Sequence, residues 1–209
     1  MSNQKYEITD IAHEKYPFLH CIRALQDVRP DVKAGDLGGF VESDSNLSFE
    51  PGDTAWIYGD AIAAGSACVD KGSVLRDQAV ICDCAYVSEG SVLFGHARAE
   101  DNAYIRNSVM KEHARASGNA MIIDSTDTHK TPEIAGNSVV YGKVMGLVQI
   151  SGEAVLFDTE EISNPSLDTF VLSDQGRSII RDPSRDELSP LPQRGERETG
   201  HKRGRGMSR

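Results

Sequence analysis

Residues 55–105 read AWIYGD AIAAGS ACVDKG SVLRDQ AVICDC AYVSEG SVLFGH ARAEDN AYI, and this stretch decides the fold. Every block opens on Ala or Ser. Every third position is apolar: Ile57, Ala63, Val69, Leu75, Ile81, Val87, Leu93, Ala99 and Ile105. The fifth and sixth positions collect Gly, Asp, Asn and other turn formers. A period of six with small and aliphatic residues in fixed slots is the hexapeptide pattern of a β-helix. Positions one to four are predicted to form a short strand, with one and three inward and two and four outward. Positions five and six turn the corner.

Outward from this stretch the period persists with two deletions. Ala103–Asn107 is one residue short, and SVMKEH (Ser108–His113) then echoes SVLFGH at Ser91–His96. Ala114–Asn119 and Ala120–Ser125 are regular, TDTHKT (Thr126–Thr131) is polar and expected to bulge, and Val144–Leu147 is short. With three hexads to a coil, the third face is expected to stack Val69, Val87, Ile105, Ile122, Val140 and Leu156. All six are aliphatic, which predicts an all-β parallel β-helix of about six coils.

Residues 1–50 precede the repeat. Tyr6–Thr9 and Phe18–Leu25 have strand character, and Asp36-Leu37-Gly38-Gly39 is expected to be a tight turn before Phe40-Val41. A solenoid needs its first coil closed, so this segment is predicted to be an N-terminal β cap. The repeat is assigned to 51–159. Residues 160–182, with Phe170-Val171-Leu172 and Ile179-Ile180, are expected to form a C-terminal cap or a segment folded back on the coil. From Pro183 the composition turns to Ser, Pro, Arg, Gly and Glu, which predicts a disordered basic tail over 183–209.

DVKAGDLGGFVES (Asp31–Ser43), Asn46-Leu47-Ser48 and GDTAWIYGDA (Gly52–Ala61) together resemble the YdcK-type hexapeptide-repeat proteins of bacteria and phages. The resemblance covers roughly residues 18–124. It implies a left-handed coil, an exception to the usual right-handed crossover. It also implies an acyltransferase-like ancestry, because proteins of that group are described as acyltransferases largely through their fold. It brings no established catalytic residue.

Composition bounds the function. The chain has 209 residues and a net charge of -10, without the basic footprint of a nucleic-acid binder. Basic residues exceed acidic ones only beyond Asp182, so no direct nucleic-acid contact is expected from the folded part. Cys21, Cys68, Cys82 and Cys84 lack zinc-finger spacing and are expected to be free thiols in a reducing cytosol. No apolar run is long enough for a membrane span and no signal peptide is visible, so a cytoplasmic location is expected.

Three groups of surface residues are candidates for function. The first face carries apolar side chains where solvated strands are polar: Trp56, Tyr58, Val74, Val92, Phe94 and Val109, with Met145 and Leu147 beyond. Such a stripe marks an interface, or else a surface that the N-terminal cap or residues 160–180 cover. The later third face is similar, with Met121, Ile123, Val139, Tyr141, Val155 and Phe157. His96 and His113 end successive first-face hexads and should stack at one corner, with His129 one coil further on. They are read as a polar corner, as a general base for acyl transfer, or as zinc ligands. The zinc reading lacks the ligand spacing it needs, so no metal is expected. Asp83 and Asp101 are expected to stack at the second corner with Glu100 beside them, as solubility charge or as an acidic surface imitating nucleic acid.

The function expected is therefore a non-catalytic β-helix scaffold without a cofactor. It would assemble as a dimer or trimer through an apolar lateral face and bind a protein partner, a host protein if the phage resemblance holds. The alternative is an acyltransferase that uses acetyl-CoA or another acyl-CoA, with His96 or His113 as the base. An acidic nucleic-acid mimic is the third reading.

Overall fold

The computed structural model describes residues 3–185. It is nearly all-β, a parallel β-solenoid of about seven turns. Three strands open the chain: β1 (Tyr6–Ala12), β2 (His20–Ala24) and β3 (Leu37–Val41). The first coil is β4 (Trp56–Ile57), β5 (Ile62–Ala63) and β6 (Cys68–Val69). The second is β7 (Val74–Leu75), β8 (Val80–Ile81) and β9 (Tyr86–Ser88). The third is β10 (Val92–Leu93), β11 (Arg98–Ala99) and β12 (Tyr104–Arg106). β13 (Val109–Met110), β14 (Arg115–Ala116) and β15 (Met121–Ile123) form the fourth. β16 (Glu133–Ile134), β17 (Val139–Val140) and β18 (Lys143–Gly146) form the fifth. β19 (Val148–Ile150), β20 (Val155–Leu156) and β21 (Glu161–Asn164) complete the sixth, and β22 (Thr169–Ser173) opens a seventh. β23 (Gly176–Ile180) turns back antiparallel on β22.

Within the coils each face is a parallel sheet built from every third strand, and antiparallel β1–β2–β3 extends the second-face sheet as β23 extends the first. Most coil strands are only two or three residues long, covering positions two and three of the hexad. The fifth position is the sharp corner. Lys71, Asp77, Asp83, Glu89, Asp101, Asn107 and Glu112 all adopt positive φ there, a conformation that Asp and Asn tolerate better than most residues and that explains the turn-former column. The interior is a set of ladders. Ile57, Leu75, Leu93, Met110, Ile134 and Ile150 line the first face without exposure. Burying each such side chain stabilises the fold by about 1.5–3 kcal/mol.

The third-face ladder corrects the expected register. It runs Val69, Val87, Ile105, Ile122 and then Val144 and Ile162. Val140 and Leu156 lie instead on the second face, above Ala116. The cause is Thr126–Thr131, which occupies no face. It is a loop at the corner after β15, closed by the Ser125 amide donating to Lys130 O and the His129 amide donating to Ser125 O. Accordingly Met145 belongs to the third face, and Val139, Tyr141, Val155 and Phe157 to the second. The coil also continues past Thr159, through β21 and β22.

Gly38 and Gly39 are not a turn but the middle of β3. A Cβ on Gly38 would meet Ile22 Cγ1 at 2.6 Å and Ile57 O at 2.7 Å, and one on Gly39 would meet Ala61 O at 2.5 Å. The pair lets β3 press against the first coil. Asn46 completes the closure: its amide donates to Gly65 O and Ala67 O, while its carbonyl accepts from the Glu42 and Ser43 amides. Tyr6 donates to Leu47 O at 2.8 Å, and buried Lys5 donates to Ser48 O at 2.7 Å. Burial pushes the Lys5 ammonium down to about 8, against the pull of nearby Asp53.

All four cysteines are free thiols. No helix among the described residues is long and apolar enough to cross a membrane. Apart from Pro183–Arg185, the expected basic tail lies outside the described residues.

Candidate binding groove

The concave feature that combines an apolar floor with exposed aromatics lies on the second face, between β1–β2 and the first coils. Residues 13–19, which join β1 to β2, leave the cap and pass over this face. Local bonds fix their path. His13 Nδ1 accepts the amides of Lys15 and Tyr16 at 3.1 and 3.2 Å, and the His13 amide donates to Leu19 O. The His13 ring stacks on Tyr16 at 5.2 Å and meets the edge of Phe40 at 4.8 Å. Leu19 is buried and anchors the segment, yet Tyr16 and Phe18 remain 47% and 56% exposed.

Two adjoining clefts lie beside this segment. One, of about 550 Å³, is lined by His13, Tyr16, Phe40, Ile62, Val80 and His96, with Glu14, Lys15, Asp60 and Gln78 at its mouth. The other, of about 230 Å³, shares Tyr16, Ile62 and Val80 and reaches Phe18, Ala64, Cys82 and Arg98. Together they form a groove with an aromatic wall, an aliphatic floor and polar ends, the size and character of a binding site. A larger cleft of about 610 Å³ surrounds Lys5 at the end of the coil. Two of its charged groups are already committed: Lys5 to Ser48 O, and Asp53 to the amides of Ala55, Lys71 and Gly72.

The histidines lie as a corner stack. The His96 and His113 rings are parallel within 2° and 4.7 Å apart, in a column that also holds Asp60 and Gln78 on the preceding coils. His96 lines the groove and His113 does not. His129 is a full corner away, in a separate cleft of about 450 Å³ with Glu89, Arg106, Asn107 and Asp124. The described residues hold no group of three or more His, Cys, Asp or Glu placed to share a metal ion.

The first-face stripe is divided. Trp56 and Val74 are buried, so they present nothing to a partner. Tyr6 meets Trp56 edge-on at 6.4 Å, and residues 28–32 lie alongside. There Tyr58 donates to Asp31, Arg76 pairs with Asp31, and the Arg76 guanidinium stacks over the Tyr58 ring at 4.1 Å. Val92, Phe94 and Val109 are left half-buried further along.

The acidic residues act between coils. Asp83 accepts the Asp101 amide at 3.2 Å, and Asp101 accepts the Ser117 hydroxyl at 2.6 Å and the Gly118 amide at 2.8 Å. Those bonds hold the Asp101 carboxyl below the ordinary range, the Ser117 hydroxyl contributing most. Asp77 and Glu112 clasp the Gly95 and Gly136 amides in the same way. Glu100 is buried between Arg98 and Arg115, with the Ser117 hydroxyl on the same carboxylate. The column of like charges is thus a series of clasps joining each corner to the next.

The groove was missed because its wall comes from residues preceding the repeat. A signal was nonetheless present. Ile62 and Val80 fill an outward slot that Arg98 and Arg115 fill in the next two coils, and Tyr16-Pro17-Phe18 sets two aromatics in a polar segment. No family model matches the chain, and no curated protein is significantly similar to it.

Proposed function

We propose that the chain is a non-catalytic binding scaffold that engages an extended segment of a partner protein in the second-face groove. The observation that carries this reading is the pair Tyr16 and Phe18, held by buried Leu19 over the Ile62–Val80 floor while half exposed themselves. Rigid aromatic anchors beside an aliphatic floor are the usual centre of a protein–protein contact. The resemblance to YdcK-type hexapeptide-repeat proteins of bacteria and phages makes a host protein the natural partner, met in the cytoplasm. No cofactor is needed. The acidic-mimic reading is disfavoured, because Asp83, Asp101 and Glu100 are engaged in bonds between and along the coils.

The test is selection of a random peptide library on the immobilised chain. Enriched peptides should share an aromatic or aliphatic anchor, and Phe18→Asp should weaken their binding at least about tenfold, the scale of one hot-spot contact. Enriched peptides that bind Phe18→Asp as well as wild type would overturn the groove.

The second reading is an acyl-CoA-dependent transferase with His96 as general base. It is favoured by one observation, that His96 faces the same cleft as His13. Calorimetry with acetyl-CoA decides it: the absence of saturable binding removes the reading.

A further inference from the structure

We infer that His13 is a proton-operated latch on the groove: its neutral ring holds Lys15 and Tyr16 in place, and a second proton on the ring releases them. Residues 13–19 are tied at two levels. At the base the His13 amide donates to Leu19 O, and Leu19 is buried. The Leu19 amide in turn donates to Tyr16 O, which closes a turn over residues 16–19. The outbound half hangs on the His13 ring, whose Nδ1 accepts the Lys15 and Tyr16 amides at 3.1 and 3.2 Å. Pro17, which follows, has no amide to add.

A nitrogen that accepts needs its lone pair, so the proton of the neutral ring lies on Nε2. A second proton goes to Nδ1 and turns the acceptor into a donor that faces two other donors. Rotating the ring does not restore the bonds, because rotation brings Cδ2 to the same place. Both amides lose their partner whichever way the ring turns. Tyr16 stacks on this ring and lines both clefts of the groove, so its release loosens the wall while Leu19 stays anchored. The titratable groups around His13 come from four places. Glu14, Lys15 and Tyr16 belong to its own segment, and Asp60 and His96 face the same cleft from two coil corners. His20 on β2 stands opposite Ala12, the residue before His13. Protons on His13 and His96 turn the formal charge of the cleft from net negative to net positive. A ligand seated at neutral pH therefore meets a loosened wall and a reversed charge in acid.

As regulation of a binding site the latch rests on the groove reading, but it is tested on the free chain. The experiment is amide hydrogen exchange followed by NMR on the full chain between about pH 8 and pH 5, the range in which histidine changes charge. Each rate is divided by its intrinsic value at that pH. The Lys15 and Tyr16 amides should lose protection about fivefold or more, the scale of one hydrogen bond, in step with the His13 ring resonance. The His13 amide should keep its own protection. His13→Asn sets a carbonyl oxygen where Nδ1 stands, an acceptor that takes no proton at these pH values. It should keep both amides protected throughout, whereas His13→Ala should leave both unprotected throughout. Wild-type amides that stay protected in acid overturn the latch. So does a loss shared by the His13 amide, which marks melting of the whole segment. Amides left unprotected in His13→Asn at pH 5 overturn it as well, and a wild-type profile there assigns the change to His20 or His96. A library selection that enriches no peptide removes the groove alone, because exchange is read without a ligand.

Discussion

At the N-terminal end of the coil Trp56, Tyr6 and Val32 are almost wholly buried, whereas at the C-terminal end Phe157, Ile179 and Ile180 stand open. Both ends face one problem, because a parallel solenoid that simply stops leaves a cross-section of apolar ladders and unpaired edges. The first end solves it with its own sequence. β1–β3, Asn46 and the buried Lys5 use hydrogen bonds that a further coil would otherwise make. Among the described residues the second end carries a hairpin on one face, and the last strands of the other two faces, β20 and β21, pair on one side only. The contrast teaches that closing a solenoid takes a dedicated segment: the repeat itself covers neither its last ladders nor its last edges.

The comparison breaks most visibly at its most buried member. Trp56→Ala should cost about 3–5 kcal/mol, read as a lowered midpoint in urea denaturation. Phe157→Ala should cost far less, because its side chain is already 61% exposed. Equal losses would show that the ends do not differ. A smaller effect sharpens the account of the cap. Lys5 titrates near 8 when folded against 10.5 as the unfolded value. Between those values the unfolded chain binds more protons, so stability rises with pH as the buried ammonium is relieved of its charge. The rise should be on the order of 2 kcal/mol, measured as the difference between wild type and Lys5→Met over this pH range. A pH-independent difference would mean that Lys5 is not desolvated. Least is expected of His96→Ala. Its half of the exposed stack should be worth within about 0.5 kcal/mol, and a much larger loss of melting temperature would give the histidine corner a structural role.

Much of this was legible in the sequence. The hexad pattern alone gave the solenoid and its inward ladders as far as Ile122, because a period of six maps directly onto strand and corner. The register then failed at Thr126–Thr131, which has the length of one hexad but none of its apolar slots. Counting residues cannot tell a six-residue loop from a six-residue face. The missing aliphatic third position could have. Gly38-Gly39 misled for a related reason: paired glycines suggest a turn, and here they allow close approach of two strands. The His96–His113 stack and the Asp83–Asp101 column were placed correctly, since stacking follows from the period. The groove was not, because which surface the cap's excursion covers is a long-range packing outcome that no local pattern encodes.

The loop at Thr126–Thr131 has a consequence for how such a chain can change. β15 and β16 keep their places in their sheets on either side of it. At this corner, between the third and first faces, the coil therefore keeps its direction while the number of residues that pass changes from one turn to the next. That corner is a port through which longer segments could enter, a graft site where the scaffold can acquire a new surface without re-registering a single ladder.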